Sequence, residues 1–359
     1  MAEQADQAGR DAGTGAKRVG RPRNLIRNEA AHRRTLMTVS KAFYVEGRSK
    51  IEIAEEFGMS RFKVARALEE AREVGIVSIT VNSNTSLPEL SDELARHLHL
   101  RRACVVEVYG DQENVRAAVG RTAGTFLRSG LEDGEVLGIG WGRTLNTMFD
   151  DIDHLPQVEI VQLSGRFGGD VDNSANELTR RTAALTGGSV RVIRAPFFID
   201  DARQATAVRR HPKVASVVAD FDRITTAVVG VGALLPTPIS VAYTAVPERV
   251  VQRVVASGAV GEVQGSLFAA DGHTVDRRLW RHTLGVAPTQ IARIPRVLAA
   301  VADERKAQAV RSVCCSGILT DLVVDVELAV RLLSMPPVRE VRHRLRDDQP
   351  PESEADVTN

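Results

Sequence analysis

The sequence has no apolar run long enough to cross a bilayer as a helix and no hydrophobic stretch at its amino end, which argues against a helical membrane protein and points to the cytoplasm. Cysteine is scarce. The three present, Cys104 and the adjacent Cys314 and Cys315, make neither a disulfide framework nor a zinc spacing and read as small buried hydrophobes. Excess charge of one sign is lacking too, since 47 Lys and Arg against 46 Asp and Glu leave a net +1. Any attraction to a polyanion must therefore come from local clustering. His99, His154, His211, His273 and His282 show no metal-ligand spacing and no triad. Neither a Walker A loop nor a dinucleotide fingerprint occurs, so no ATP, NAD or other cofactor is implied. What remains is an ordinary globular composition, 43% hydrophobic over 359 residues, enough for about two domains and one large core.

The most informative stretch is Ser49 to Val74, which reads as two short helices joined by a tight turn. Ser49 followed by Glu52 has the S-x-x-E form of a capping box, opening a helix that runs to Phe57. Its apolar stripe is Ile51, Ile53 and Ala54. Gly58 permits the sharp turn, because glycine takes a left-handed backbone without steric cost. Ser60 then caps a second helix whose inward positions are Val64, Ala67, Leu68 and Ala71. Arg61, Phe62, Lys63 and Arg66 occupy the remainder of its first two turns. Basic residues there work against the helix dipole by about 0.3–1 kcal/mol each, and a docked polyanion reverses that sign. A helix-turn-helix reading duplex DNA in the major groove fits this pattern. An ordinary helical hairpin with a solvated charged face has it as well.

Residues 1–32 are poor in large apolar groups and are expected to be disordered alone. Gly20-Arg21-Pro22 resembles the core of an AT-hook, although Val19 stands where a basic residue is usual. Arg21 and Arg23 would then contact DNA from a flexible basic arm; an inert solvated tail is the alternative. Ala31 to Glu46 has helical spacing and would pack behind the hairpin. Ile76, Val77, Ile79 and Val81 read as a strand, which would supply a wing, and Asn82 to Ser86 as a turn-rich boundary before a linking helix from Leu87 to Leu98.

The run from Ser40 to Val81, with AFYVEG, KIEIAEEFGMSRFKVARAL and AREVGIVSITV, resembles the amino-terminal domain of the SorC family of sugar-responsive bacterial transcription regulators. The resemblance continues to about Leu333 through VGRTAGTFLRSGLEDGEVLGIGWGRTL, VQLSGRFGG, RAPFF, VVGVG, GSLFAADG and RKAQAVRSVCCSGILTDLVVDVELAVRLL. It implies an effector domain similar to phosphosugar isomerases, an operator-binding homodimer or homotetramer, and a sugar, sugar phosphate or polyol effector.

Read from its residues, the second domain alternates short apolar runs with helical stretches: strands at 105–108, 136–139, 160–163, 190–193, 227–229 and 298–301, and helices at 115–127, 175–185, 214–221 and 306–316. That alternation predicts an α/β doubly wound, mostly parallel sheet, with ligands beyond the carboxyl ends of its strands. Gly140-Trp141-Gly142-Arg143-Thr144 follows a strand and is expected to open a helix; it could cradle a phosphate or simply be a tight turn. Gly165-Arg166, leading into Phe167-Gly168-Gly169, offers a second loop. Gly232, in Gly230-Val231-Gly232, offers a third, though a lone GxG also marks close backbone packing. Asp271 could accept sugar hydroxyls, or Asp271-Gly272 could be a hairpin turn. By the resemblance, Lys306 lines the pocket near a phosphate. Members of that family usually carry two glycines shortly before this lysine, where this chain has Asp303-Glu304, so an unphosphorylated sugar or polyol stays open.

Asp271, Glu304 and Asp325 are carboxylates of the type that aldose–ketose isomerisation needs, but no spacing ties them to one site. A sugar-phosphate isomerase-like enzyme with an accessory DNA-binding domain is therefore the alternative to a regulator that is not an enzyme. The expected domains are an arm at 1–32, the helix-turn-helix at 33–82, a linker helix at 83–98, the effector domain at 99–335 and a disordered tail at 336–359.

Overall fold

The computed structural model describes residues 23–77, 81–166, 170–234, 246–275 and 278–339; the side chains of 23–30, 81–85 and 170–175 lie outside that description. The chain divides between Ile79 and Thr80 into two compact units.

The first unit holds α1 (Arg23–Ser40), a π-helical turn (Lys41–Val45), α2 (Lys50–Glu56) and α3 (Arg61–Glu73). Val39, Ala42, Ile53, Ala54, Val64 and Leu68 form its core. The predicted capping box is present: Glu52 N–H donates to Ser49 Oγ, and Ser49 N–H donates to Glu52 Oε2 at 2.7 Å. Gly58 takes φ +59° in the turn. Ile51 does not share the buried stripe and is 51% exposed. Two residues apart on a helix is about 200°, so Ile51 and Ile53 cannot both face inward.

The sequence places the end of a disordered arm at residue 32, whereas α1 already begins at Arg23, the residue after Pro22, with neither glycine nor proline as far as Ser40. Leu36 and Val39 anchor that helix in the core, and His32 Nε2 meets Glu70 Oε1 on α3 at 2.6 Å. The expected wing is not formed by Ile76 and Val77. Gly75 (φ +72°) ends α3, and the N–H groups of Ile76 and Val77 both return to the Ala71 carbonyl.

The second unit opens with β1 (Val81–Ser86) and α4 (Pro88–His97). Residues expected to be a boundary and a linker are thus part of the large domain. β1 pairs antiparallel with β2 (Arg102–Tyr109), and this tertiary pairing overrides the turn propensity of Asn and Ser. Ser91 Oγ on α4 accepts the Val105 N–H of β2 at 2.9 Å, and Leu94 and Leu98 are fully buried.

There follow α5 (Gln112–Arg128), β3 (Val136–Ile139), β4 (Glu159–Gln162), α6 (Asp170–Thr186), β5 (Val190–Arg191), α7 (Ala202–Arg210), α8 (Pro212–Asp220), β6 (Thr226–Val229), β7 (Gly232–Ala233), α9 (Glu248–Ala256), β8 (Gly261–Val263), β9 (Ser266–Phe268), β10 (Thr274–Val275), α10 (Pro288–Ile291), β11 (Arg296–Val301), α11 (Ala307–Ser316), β12 (Asp321–Asp325) and α12 (Val326–Leu333). The main sheet has the order β1-β2-β12-β11-β6-β3-β4-β5 and is parallel from β2 to β5, which matches the predicted α/β class.

Successive strand residues feed opposite cores, as the two-residue period requires. Val297, Ala299 and Val301 of β11 join α4, α8, α11 and α12 on one face, while Leu298 and Ala300 join α5 and α6 on the other. Each fully buried Val or Leu contributes about 1.5–3 kcal/mol. Cys104 and Cys314 are buried and unbridged among these apolar groups. A second sheet, β10-β9-β8-β7, is antiparallel and was absent from the sequence reading because its strands are only two or three residues long. The start of the expected tail is held: Val338 is buried, and its N–H donates to the His97 carbonyl. Residues from 340 onward lie outside the described chain.

Candidate functional site

α3 presents the first of two sites. Ser60 Oγ accepts the Lys63 N–H, as the sequence predicts, and Val64, Leu68 and Ala71 are buried, with Ala67 packed against them. Arg61, Phe62, Lys63 and Arg66 are all exposed. Among the described residues no carboxylate pairs with these three cations, and the first turn of α3 holds no acid. Of the proposed arm, Arg21 lies outside the described residues; Arg23 begins α1, and its side chain also lies outside them.

The second site is a cleft of about 380 Å³ open to solvent, lined by Trp141, Gly142, Arg143, Thr144, Gly230, Val231, Gly232, Glu262, Ala300 and Lys306. It sits beyond the carboxyl ends of β3, β6 and β11, three neighbouring strands. From here the chain winds outward through β4 and β5 on one side and through β11 and β12 on the other. This is the switch point at which open parallel sheets bind ligands.

Two glycine-rich turns meet at the cleft. A Cβ on Gly230 would come within 2.8 Å of the Trp141 carbonyl and 3.3 Å of Gly142 Cα. Gly230 is therefore required by close backbone packing, while Gly232 beyond it lines the cleft. The segment after β3 forms a single 3-10 turn, Leu145–Thr147, rather than the expected α-helix, so little helix dipole acts there. Thr144, 3% exposed, is held at its start.

Lys306 reaches in from the turn before α11, and its Nζ donates to the Val231 carbonyl at 3.0 Å. Burial, reinforced by the positive charges of Arg143 and Arg116, pulls its ammonium from an ordinary 10.5 down to about 8. Arg116, on α5, is itself lowered by burial and by Arg143. Three cations thus repel one another around one cleft, offset in part by the carboxylates of Asp303 and Glu262, so the excess is positive and an anion would relieve it.

The Asp303-Glu304 departure does not set two carboxylates against that anion. Asp303 is gripped by Arg305, whose Nε and Nη2 donate to its two oxygens at 2.8 and 2.6 Å. Burial pushes its carboxyl up, but these bonds prevail and hold it below the usual range. Glu304 is exposed. Asp303 adopts φ +98°, a backbone conformation that favours glycine.

Four predicted ligand residues fall elsewhere. Gly140 ends β3 beneath the cleft, its N–H bonded to the Val228 carbonyl. Gly165 and Arg166 are tied through their backbones to Leu284 and Ala195, because this stretch pairs with neighbouring segments; Phe167, Gly168 and Gly169 lie outside the described residues. Asp271 lies in the turn between β9 and β10. Its side chain is 65% exposed, and its carboxylate accepts the backbone N–H of His273 and contacts the His273 ring. The hairpin reading of Asp271-Gly272 is the one the geometry supports.

Glu262, Val231, Ala300 and Arg116 had not been expected at the site. Glu262, on β8, is 2% exposed, and its Oε1 accepts the Gly265 N–H at 2.6 Å. Gln264 and Gly265, both at positive φ (52° and 83°), make the two-residue turn from β8 to β9, as a type I′ hairpin requires. Gln264-Gly265, with Val260 and Val263 before it and Leu267 and Phe268 after it, was the signal for this wall.

Comparison with known proteins places these features in context. Residues 82–334 match the family described as "Putative sugar-binding domain". The transcriptional regulator LsrR of Klebsiella pneumoniae is 27% identical over 307 residues, covering 83% of this chain and 92% of its own. The erythritol catabolism regulatory protein EryD of Brucella abortus is 27% identical over 301 residues, covering 82% and 94%. The full-length sorbitol operon regulator SorC from Klebsiella pneumoniae superposes with a TM-score of 0.64 at 21% identity, covering 85% of this chain and all of that one.

Proposed function

Because the chain belongs to the SorC family of sugar-responsive, DNA-binding transcriptional regulators, we propose that it binds its operator through the amino-terminal half of α3 and its effector in the cleft beside Lys306. The observation that carries the effector assignment is the convergence of Lys306 and Arg143 in the cleft with Arg116 close by, three cations against the carboxylates of Glu262 in the lining and of Asp303, which Arg305 binds. That charge balance favours a phosphorylated sugar or polyol, its phosphate at Lys306 and Arg143 and its hydroxyls toward Glu262. The regulator acts in the cytoplasm, where its operator lies. It binds DNA as a homodimer or homotetramer, since one short recognition helix reads only a few base pairs and symmetric half-sites multiply the contact.

A free polyol is the second reading. Glu262 supports it as a buried acceptor in the cleft, and the Brucella relative is named for erythritol. Conversion of the ligand is the less supported role. Asp271 and Glu304 are exposed away from the lining, and Asp325 caps α12 while accepting the Asp303 N–H.

Thermal unfolding of the full-length protein with sugar phosphates, polyol phosphates and their unphosphorylated parents tests the reading. A ligand at 100 times its Kd stabilises by about 2.7 kcal/mol. Stabilisation by a phosphate ester, with no product detected by NMR and a shift in operator affinity, supports it. Stabilisation by the free polyol alone moves the assignment to the second reading, and turnover overturns the regulatory one.

A further inference from the structure

Phe62 is 84% exposed in the first turn of α3, the most exposed large apolar side chain of the described residues. A helix advances about 100° per residue. Taking the direction of Phe62 as outward, Arg66 lies about 40° from it and Ala65 about 60° to the other side, while Val64, Leu68 and Ala71 point to the core. Arg61 and Lys63 fall about 100° to either side, flanking this ridge. Further along the same face come Glu69 and Glu73. Their charge keeps the second half of α3 off a phosphate backbone, so only the first two turns can descend into a groove. At the centre of that descending surface is an aromatic ring, next to a small Ala65 and ringed by cations.

An aromatic ring left in water at the tip of a cationic surface needs an apolar partner inside a polyanion. The major groove has one such group, the C5-methyl of thymine. We propose that Phe62 is a specificity-determining residue that packs on a thymine methyl in each operator half-site, while Arg66 contacts the adjacent base pair. The proposal rests on the operator-binding reading of α3.

The test uses the full-length protein and the tightest duplex it selects from a random-sequence library, with binding followed by fluorescence anisotropy. Each thymine in the protected region is replaced in turn by deoxyuridine, which removes only the methyl group. One thymine per half-site should prove sensitive, its replacement weakening wild-type binding about fourfold, the value of one buried methyl-sized group. Phe62→Ala should bind the thymine and uracil duplexes equally, and Phe62→Leu should keep most of the discrimination. A Phe62→Ala protein that still prefers thymine at that position overturns the proposal alone, as does a duplex with no sensitive thymine. A change of oligomeric state in Phe62→Ala with thymine preference intact assigns the ring to a second copy of the chain and also overturns it. A library that yields no enriched duplex removes the operator-binding reading together with this one.

Discussion

The Nζ of Lys306 donates to the carbonyl of Val231 at 3.0 Å, tying the turn before α11 to the glycine-rich segment after β6. This single bond holds a cation in place at the wall of the cleft. It compensates little of the burial that brings the ammonium down to about 8.

Lys306→Met should therefore raise stability while removing the effector response. A lysine with a depressed folded pKa destabilises the fold below that pKa, and the cost is relieved as pH rises from about 8 toward an ordinary 10.5. Chemical denaturation at pH 7 should show the variant more stable by roughly 1–3 kcal/mol. Wild type should gain on it between pH 8 and 10.5. Calorimetry with the phosphorylated effector should show no binding by the variant, and wild-type affinity should fall as pH rises past 8.

Asp321 is fully buried and bonded by Arg101 at 2.6 Å, Arg102 at 3.1 Å and Arg296 at 3.3 Å. Burial pushes its carboxyl up, but the arginines outweigh burial and hold it below the ordinary range. Asp321→Asn leaves buried Arg296 without its counter-charge and should cost about 3–5 kcal/mol in urea unfolding. The carboxylate's contribution is present above the ordinary carboxylate pKa and is lost as pH falls through the depressed one, so the variant should show a flatter acid limb.

On α3, Arg66→Ala should lose about 1–3 kcal/mol at one base pair and relax preference there. Lys63→Ala should weaken all duplexes alike and lower the salt slope by about one. Arg61 lies on the opposite flank from Lys63, so Arg61→Ala should behave as a phosphate contact does. Quantitative footprinting across salt concentrations separates the two behaviours.

A Cβ on Gly140 would approach Gln264 Nε2 to 2.3 Å and the Val228 carbonyl to 2.9 Å. Gly140→Ala should push the β8–β9 hairpin away from the cleft, costing about 1–3 kcal/mol by overpacking and weakening the effector response. A melting temperature and effector titration equal to wild type would show that the hairpin accommodates the methyl without moving.

The helix-turn-helix could be read from Ser49 to Val74 because its determinants are local. A capping box spans four residues, Gly58 acts through its own backbone, and a helix face repeats within eight residues. The parallel strands other than β12 were visible for a related reason: burial on both faces makes each a continuous apolar run, whereas β12 has an aspartate at each end.

Other features depended on partners distant in the chain. Asn82 to Ser86 carries turn propensity and becomes β1 only through the edge of β2. Asp271 and Gly165 looked as suitable for a ligand as Gly142, but only packing decides which loops meet where β3, β6 and β11 end. Glu262 belongs to a sheet whose strands are too short to show a period, and Asp303 looked hostile to phosphate until Arg305 was seen to neutralise it. The amino-acid order thus made legible, by itself, the helical hairpin, the basic start of α3 and most of the parallel strands, because each carries a pattern within a few residues of chain, whereas α7, α9 and α12 were not read from it. Tertiary structure alone decided the membership and charge of the cleft, because those come from strands and turns more than 150 residues apart brought within a few ångströms.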